Sequence, residues 1–154
     1  RQVARNFGGV EHRIELVRVK DGVRYYNDSI ASSPSRTIAG LRSFPEKVIL
    51  IAGGYDKHIP YDVLGPEICA HVKKLFLGGA TGPKIRAAVE NAPAYLPGMP
   101  EIVDCGDFTK ATLAAARAAE PGDVVLMSPA SAAFDQFKNF MVRGQYFKKL
   151  VKEL

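Results

Sequence analysis

The chain has 154 residues, 47% of them apolar and 24% charged, with a formal net charge of +5. That length fits one domain able to bury a core without staples, and the composition is that of a globular chain rather than a disordered one. No apolar run approaches the ~20 residues of a membrane span, and no signal-peptide pattern is present.

The chain starts at Arg1 without methionine and ends on a helical pattern at Leu154, so we expect a fragment of a longer protein. Cys69 and Cys105 lack metal-type spacing and offer no disulfide framework, which points to a reducing cytoplasm and to two small buried apolar residues.

After a polar lead-in, Ile14 to Val19 and Val23 to Tyr26 flank Lys20, Asp21 and Gly22, a hairpin signal with Asp-Gly in the turn. Ser33 and Pro34 then read as an N-cap and a first helical residue. Ile38, Leu41 and Phe44 follow at helical spacing up to Pro45, which predicts a helix of about three turns whose free N–H groups lie beside Asp28 and Ser32. The continuous apolar runs Lys47 to Ala52 (KVILIA), Val72 to Leu77 and Asp123 to Met127, with a weaker one at Glu101 to Asp104, suit strands buried on both faces. Helical patterns occupy 61–70, 82–91, 108–119 and 136–153, the last with a break expected at Gly144. Strict alternation of this kind predicts an α/β fold: a Rossmann-like, mainly parallel sheet with helices on both faces, preceded by a β-hairpin. The whole of 1–154 reads as a single domain.

In such sheets ligands bind beyond the carboxyl ends of the strands. Four loops qualify: NDSIASSP (27–34), AGGYDKHIP (52–60), LGGATG (77–82) and MSPASAAFDQF (127–137). The first gathers Asp28, Ser29, Ser32 and Ser33 at a strand-to-helix turn, which serves either an anion or the turn itself. In the second, Gly53 and Gly54 permit a tight bend and Lys57 offers a cation for a carboxylate or phosphate, set against a plain surface charge. Thr81 and Asp107 read as helix caps. In the last segment Lys138, Arg143, Lys148, Lys149 and Lys152 alternate with aromatic and aliphatic residues, a pattern expected to give a solvated basic face. That pattern is too sparse for nucleic acid, whereas a mildly positive cleft for small anions suits it.

Neither G-x-x-x-x-G-K-S/T nor G-x-G-x-x-G occurs, so the chain has no phosphate-cradling loop of its own. His12, His58 and His71 are isolated in sequence, and Ser128 lacks the glycines of a nucleophile elbow; no metal set and no catalytic set is expected here.

Taken together, EHRIE (11–15), NDSIASSP, AGGYDKH and above all SPASAAFDQFKNFMVRG (128–144) resemble the C-terminal domain of the D-glutamate-adding muramyl ligases, over essentially the whole chain. Sister ligases and folylpolyglutamate synthetases carry other sequences where this chain has NDSIASSP, and the D-N-P-R motif of the diaminopimelate adders is absent. The resemblance implies a Rossmann-like lid, the last of three domains, in a cytoplasmic enzyme of peptidoglycan synthesis. ATP would phosphorylate the carboxylate of UDP-N-acetylmuramoyl-L-alanine, and the amine of D-glutamate would attack the acyl phosphate. ATP and Mg2+ would be held mainly by a covalently linked central ATPase domain, so this piece is expected to be inactive alone. No nucleic acid and no membrane is implied as a partner. By the same resemblance Arg13 reaches ATP phosphate and Asp28 the ribose, while Ser32, Lys57 and the backbone around Ala133, Phe134 and Phe140 receive the carboxylates of D-glutamate. Two positions depart from the family pattern. Ile30 stands where a lysine often follows N-D-S, and Ala133 where a serine hydroxyl would meet the glutamate carboxylate. The other reading of the chain is a stand-alone Rossmann-like module that binds a nucleotide or amino acid without catalysis.

Overall fold

The computed structural model describes residues 10–134 and 136–154. Strands β1 (Glu15–Lys20) and β2 (Val23–Asn27) form the expected antiparallel hairpin. Asp21 and Gly22 both take positive φ, 53° and 79°, as a tight primed turn requires. The remaining strands, β3 (Val48–Ala52), β4 (Val72–Gly78), β5 (Glu101–Gly106) and β6 (Val124–Met127), run parallel to β2. The sheet order is β1-β2-β6-β3-β4-β5.

Five helices cover the sheet: α1 (Pro34–Leu41), α2 (Leu64–His71), α3 (Gly82–Glu90), α4 (Phe108–Ala118) and α5 (Phe140–Lys152). The apolar runs divide by period two between the two faces. Leu50 and Ala52 of β3, Leu75 and Leu77 of β4, and Leu126 of β6 pack beneath Leu41, Leu64, Ile68, Ile85 and Val89 of α1, α2 and α3. Ile49 and Ile51 of β3, Phe76, and Val125 and Met127 of β6 turn the other way, against Phe108, Ala111 and Ala115 of α4 and Phe147 and Val151 of α5. Burial on both sides is why these strands read as continuous rather than alternating hydrophobic runs.

Three local expectations change. Helix α1 has eight residues, about two turns, because Phe44 leaves the helix to pack edge-on against Tyr26 of the hairpin, with ring centroids 5.0 Å apart. Ser33 occupies the N-cap position in an extended conformation, but its hydroxyl meets Ser35 and makes no cap bond. Helix α5 runs unbroken through Gly144. Asp107 caps α4 as expected, accepting the Lys110 N–H at 2.8 Å.

Candidate functional site

Because β6 inserts between β2 and β3, the loops that follow β2, β6, β3 and β4 lie side by side on one rim of the sheet. The segment 128–144 crosses that rim and bonds to each of its neighbours. Ser128 Oγ donates to Asp28 Oδ2 at 2.7 Å in the β2 loop. The Pro129 carbonyl accepts the Gly53 N–H and the Ala132 carbonyl accepts the Tyr55 N–H, both from the β3 loop. Ser131 Oγ lies 2.8 Å from Thr81 Oγ1, which also accepts the Gly54 N–H and so ties in the β4 loop. Gln136 Oε1 accepts the Phe108 N–H at the start of α4, and Asn139 caps α5 through the Val142 N–H. Thr81 is therefore a tie between loops and not the side-chain cap that its position suggests.

Gly53 shows how tightly the rim is drawn. Its φ is +110°, and a Cβ on it would lie 2.3 Å from the Gly78 carbonyl oxygen, so both conformation and contact require glycine.

Arg143 anchors the segment from below. Only 1% of it is exposed. Its Nε donates to Ser29 Oγ at 3.0 Å and its terminal nitrogens donate to the carbonyls of Ser29 and Ser131, each at 2.8 Å. Ser29 Oγ in turn donates to the Phe140 carbonyl at 2.6 Å. Arg143 is thus a structural cation inside the fold and no part of the solvated basic face. Lys148 departs from that expectation too: its side chain is 14% exposed and bonds to Glu11 and Glu15 at 2.7 and 3.2 Å. The histidine expected to be isolated, His12, is buried in the same cluster, where Asn27 Nδ2 donates to its Nδ1 at 2.9 Å and the Phe140 ring sits edge-on to it. Glu11, His12 and Glu15 have the chemistry of a small metal set, with ligand atoms within 4.8 Å of one another. The Lys148 ammonium already supplies the positive charge there.

Of the candidate binding residues, the structure brings Arg13 and Asp28 together. They line a cleft of about 240 Å³ with Ile14, Ile30, Ala31, Arg36, Ala39, Gly40 and Ser43. Asp28 forms its floor and is 3% exposed. Its two oxygens accept one bond each, from the Ile14 N–H at 3.1 Å and from Ser128 Oγ. A carboxylate offers about four lone-pair sites, so about two remain for a ligand. Burial pushes the Asp28 carboxyl up from 3.8 to about 6, against the two hydrogen bonds and the nearby Arg13 and Arg36 charges, which favour the ion. The carboxylate faces the far end of α1 rather than its N-terminus: a Cβ on Gly40 would come within 2.8 Å of Asp28 Oδ2.

The other candidates lie outside that cleft. Lys57 is exposed in the β3 loop and enters no ion pair among the described residues, whereas its neighbour Asp56 is held by Lys84 at 2.7 Å. Ser32 is half-buried between β2 and α1. Ala133 is buried, and its carbonyl accepts the N–H groups of Gln136 and Phe137. Phe134 is 65% exposed and meets Tyr55, 42% exposed, edge to face at 5.9 Å. Asp135 lies outside the described residues.

The places of Arg36, Ser128 and Arg143 are not read from the sequence: Arg36 carries no signal, Ser128 is weighed only as a nucleophile, and Arg143 reads as part of a solvated face. For Arg143 a signal exists: a glycine directly after it, inside a helix, marks a close approach, and a Cβ on Gly144 would lie 2.2 Å from His12 Nδ1.

Fold and rim define a Rossmann-like α/β domain with four loops gathered at the strand ends, the place where such folds bind ligands. A family model described as "Mur ligase, glutamate ligase domain" matches residues 12–131. The chain belongs to that family. It is 56% identical over 160 residues to the UDP-N-acetylmuramoylalanine--D-glutamate ligase of Acetivibrio thermocellus, and 51% identical over 154 residues to the ligase of the same name from Clostridium beijerinckii. Each match covers 100% of this chain and 34% of the relative, so the chain spans about a third of their length. Among solved structures, a murein peptide ligase from Psychrobacter arcticus is similar at a TM-score of 0.62 and 14% identity, over 97% of this chain and 32% of that one. A folylpolyglutamate synthase from Thermotoga maritima is similar at 0.58 and 16%, over 95% and 32%. These two likenesses concern the fold.

Proposed function

We propose that this chain is the C-terminal domain of an ATP-dependent ligase that adds D-glutamate to UDP-N-acetylmuramoyl-L-alanine, a cytoplasmic step of peptidoglycan synthesis. The longer protein would also have a domain for the UDP sugar and a central ATPase domain that holds Mg2+. Among the described residues, no helix is long and apolar enough to cross a membrane.

The observation that carries this reading is the cleft floored by Asp28, with an exposed arginine from the segment before β1 at its edge. A carboxylate with two oxygens still able to accept suits the two hydroxyls of a ribose, and a guanidinium suits phosphate. The names of the relatives at 56% and 51% identity support the same assignment. Asp28 would hold the ribose and Arg13 a phosphate of ATP. Lys57, exposed on the same rim and free of any ion pair among the described residues, would take one carboxylate of D-glutamate. Ser32 and the backbone around Ala133, Phe134 and Phe140 would take the other. With Ala133 in place of a hydroxyl-bearing residue, main-chain N–H donors must do this work.

The chemistry of these residues is positional. Attack by an amine on an acyl phosphate forms the amide bond and expels phosphate. What the domain contributes is an acceptor held with its amine directed at the reacting carbon. The described residues offer no phosphate-cradling loop, so the isolated chain is expected to be inactive.

Steady-state kinetics of the full-length ligase test this assignment. Lys57→Ala is expected to raise the KM for D-glutamate far more than that for ATP, and Asp28→Ala to do the reverse. Equal changes in both constants for both variants would refute it. ATP binding by the isolated chain as tight as by the full-length protein would instead favour the stand-alone module.

A further inference from the structure

One wall of the Asp28 cleft is a single helix stripe. Arg36, Ala39, Gly40 and Ser43 recur at the i, i+3, i+4, i+7 spacing of one face, along α1 and just past its end. Three of the four are small, so the wall is low and admits a flat ligand; Arg36 is the one long side chain of the stripe. It is exposed and makes no hydrogen bond, ion pair or ring contact among the described residues. Its charge nonetheless acts on Asp28, as does that of Arg13. Two guanidiniums with no ion pair among the described residues thus flank one enclosed carboxylate.

Ile30 lines the same cleft and brings no charge. A polyphosphate carries several negative charges and accepts more than one charge-assisted contact, so a second guanidinium on the same cleft has phosphate oxygens to bind beside those the central domain would hold. Beyond Arg13, the residues lining this cleft offer a single further cation, Arg36.

We propose that Arg36 is a second phosphate-binding residue of the nucleotide site, gripping the ATP polyphosphate together with Arg13 while Asp28 holds the ribose. The proposal rests on the nucleotide reading of the cleft given above, and it supplies from α1 the positive charge that Ile30 lacks.

The test uses the full-length ligase. Arg36→Ala is expected to raise the KM for ATP about tenfold or more, the usual scale for a lost charge-assisted contact, and to leave the KM for D-glutamate unchanged. Arg36→Lys should recover part of the loss, because an ammonium keeps the charge without the planar fork. Adding Ile30→Lys to Arg36→Ala places a cation elsewhere on the cleft lining and should also recover part of it; a merely structural role for Arg36 would not be rescued that way. An Arg36→Ala enzyme with unchanged ATP kinetics, or with both KM values raised equally and no rescue by Ile30→Lys, overturns the proposal. Asp28→Ala, measured alongside, separates two kinds of failure. If Asp28→Ala also leaves ATP kinetics unchanged, the nucleotide reading of the cleft falls; if Asp28→Ala weakens ATP use and Arg36→Ala does not, the role of Arg36 alone falls.

Discussion

Replacing Asp28 by asparagine separates what this carboxylate does for the fold from what it does for a ligand. Burial raises its pKa from 3.8 to about 6, so near neutral pH the folded chain holds an ion in a site that favours the protonated acid. A shift of about two units corresponds to about 3 kcal/mol of differential stability. Asparagine has nearly the same shape and no charge. Its Oδ1 can accept the Ile14 N–H, and its Nδ2 can donate to Ser128 Oγ, whose own proton then points to Thr37 Oγ1 at 3.0 Å. Thr37 Oγ1 donates onward to the Ser128 carbonyl at 3.2 Å, so each present partner keeps a bond, and the second Nδ2 hydrogen is left to the cleft that residue 28 lines. The direction of the pH effect follows from proton counting. The folded pKa lies above the unfolded one, so the folded chain binds more protons between about pH 4 and 6 and loses stability as pH rises through that window. Asp28→Asn removes this dependence. Urea denaturation of the two chains across pH should show the variant more stable by about 1–3 kcal/mol at pH 7.5, the gain shrinking toward zero near pH 4. In the full-length enzyme the same change should weaken ATP use, because the amide nitrogen cannot accept a ribose hydroxyl. A variant less stable at pH 7.5, or a difference that does not change with pH, would refute the reasoning.

Arg143→Met keeps much of the aliphatic bulk but strands two buried carbonyls, those of Ser29 and Ser131, and leaves Ser29 Oγ with only its bond to the Phe140 carbonyl. A loss of about 3 kcal/mol or more is expected, read as a lower urea midpoint with an unchanged slope. Gly53→Ala meets both a positive φ and the Gly78 oxygen, and should cost about 3 kcal/mol or more. Gly98→Ala is its control: φ is +79° but nothing lies within 4 Å, so only the conformational penalty of about 1 kcal/mol applies. Equal losses for the two alanine variants would show that the rim contact carries no strain.

The fold was largely legible because its signals are local. KVILIA, bounded by charge on one side and glycines on the other, reads as a buried strand wherever it is placed, and Asp-Gly makes its turn without help. The candidate site was legible only in its outline. Helical spacing sets charged residues of α5 apart from its aromatic ones, but it cannot show that Arg143 faces three oxygens from two loops, one of them more than a hundred residues away. Lys148 is paired by Glu11 and Glu15, which only the hairpin brings within reach. The position of Asp28 against the far end of α1 depends on how that helix lies on the sheet, and Thr81 stands at the N-cap of α3 but turns its hydroxyl to the Gly54 N–H of the neighbouring loop. In each case the deciding partner is remote along the chain, where periodicity and propensity are silent.

The place of β6 has a consequence for the order of assembly. It is the last strand along the chain, yet it is a central one, with β2 on one side and β3 on the other. Until it arrives, the hairpin and the β3-β4-β5 unit share no strand pairing, and joining them must close a long loop before any ladder bond repays the entropy. The two halves of the sheet, and with them the two halves of the rim, are therefore joined only when β6 pairs with both.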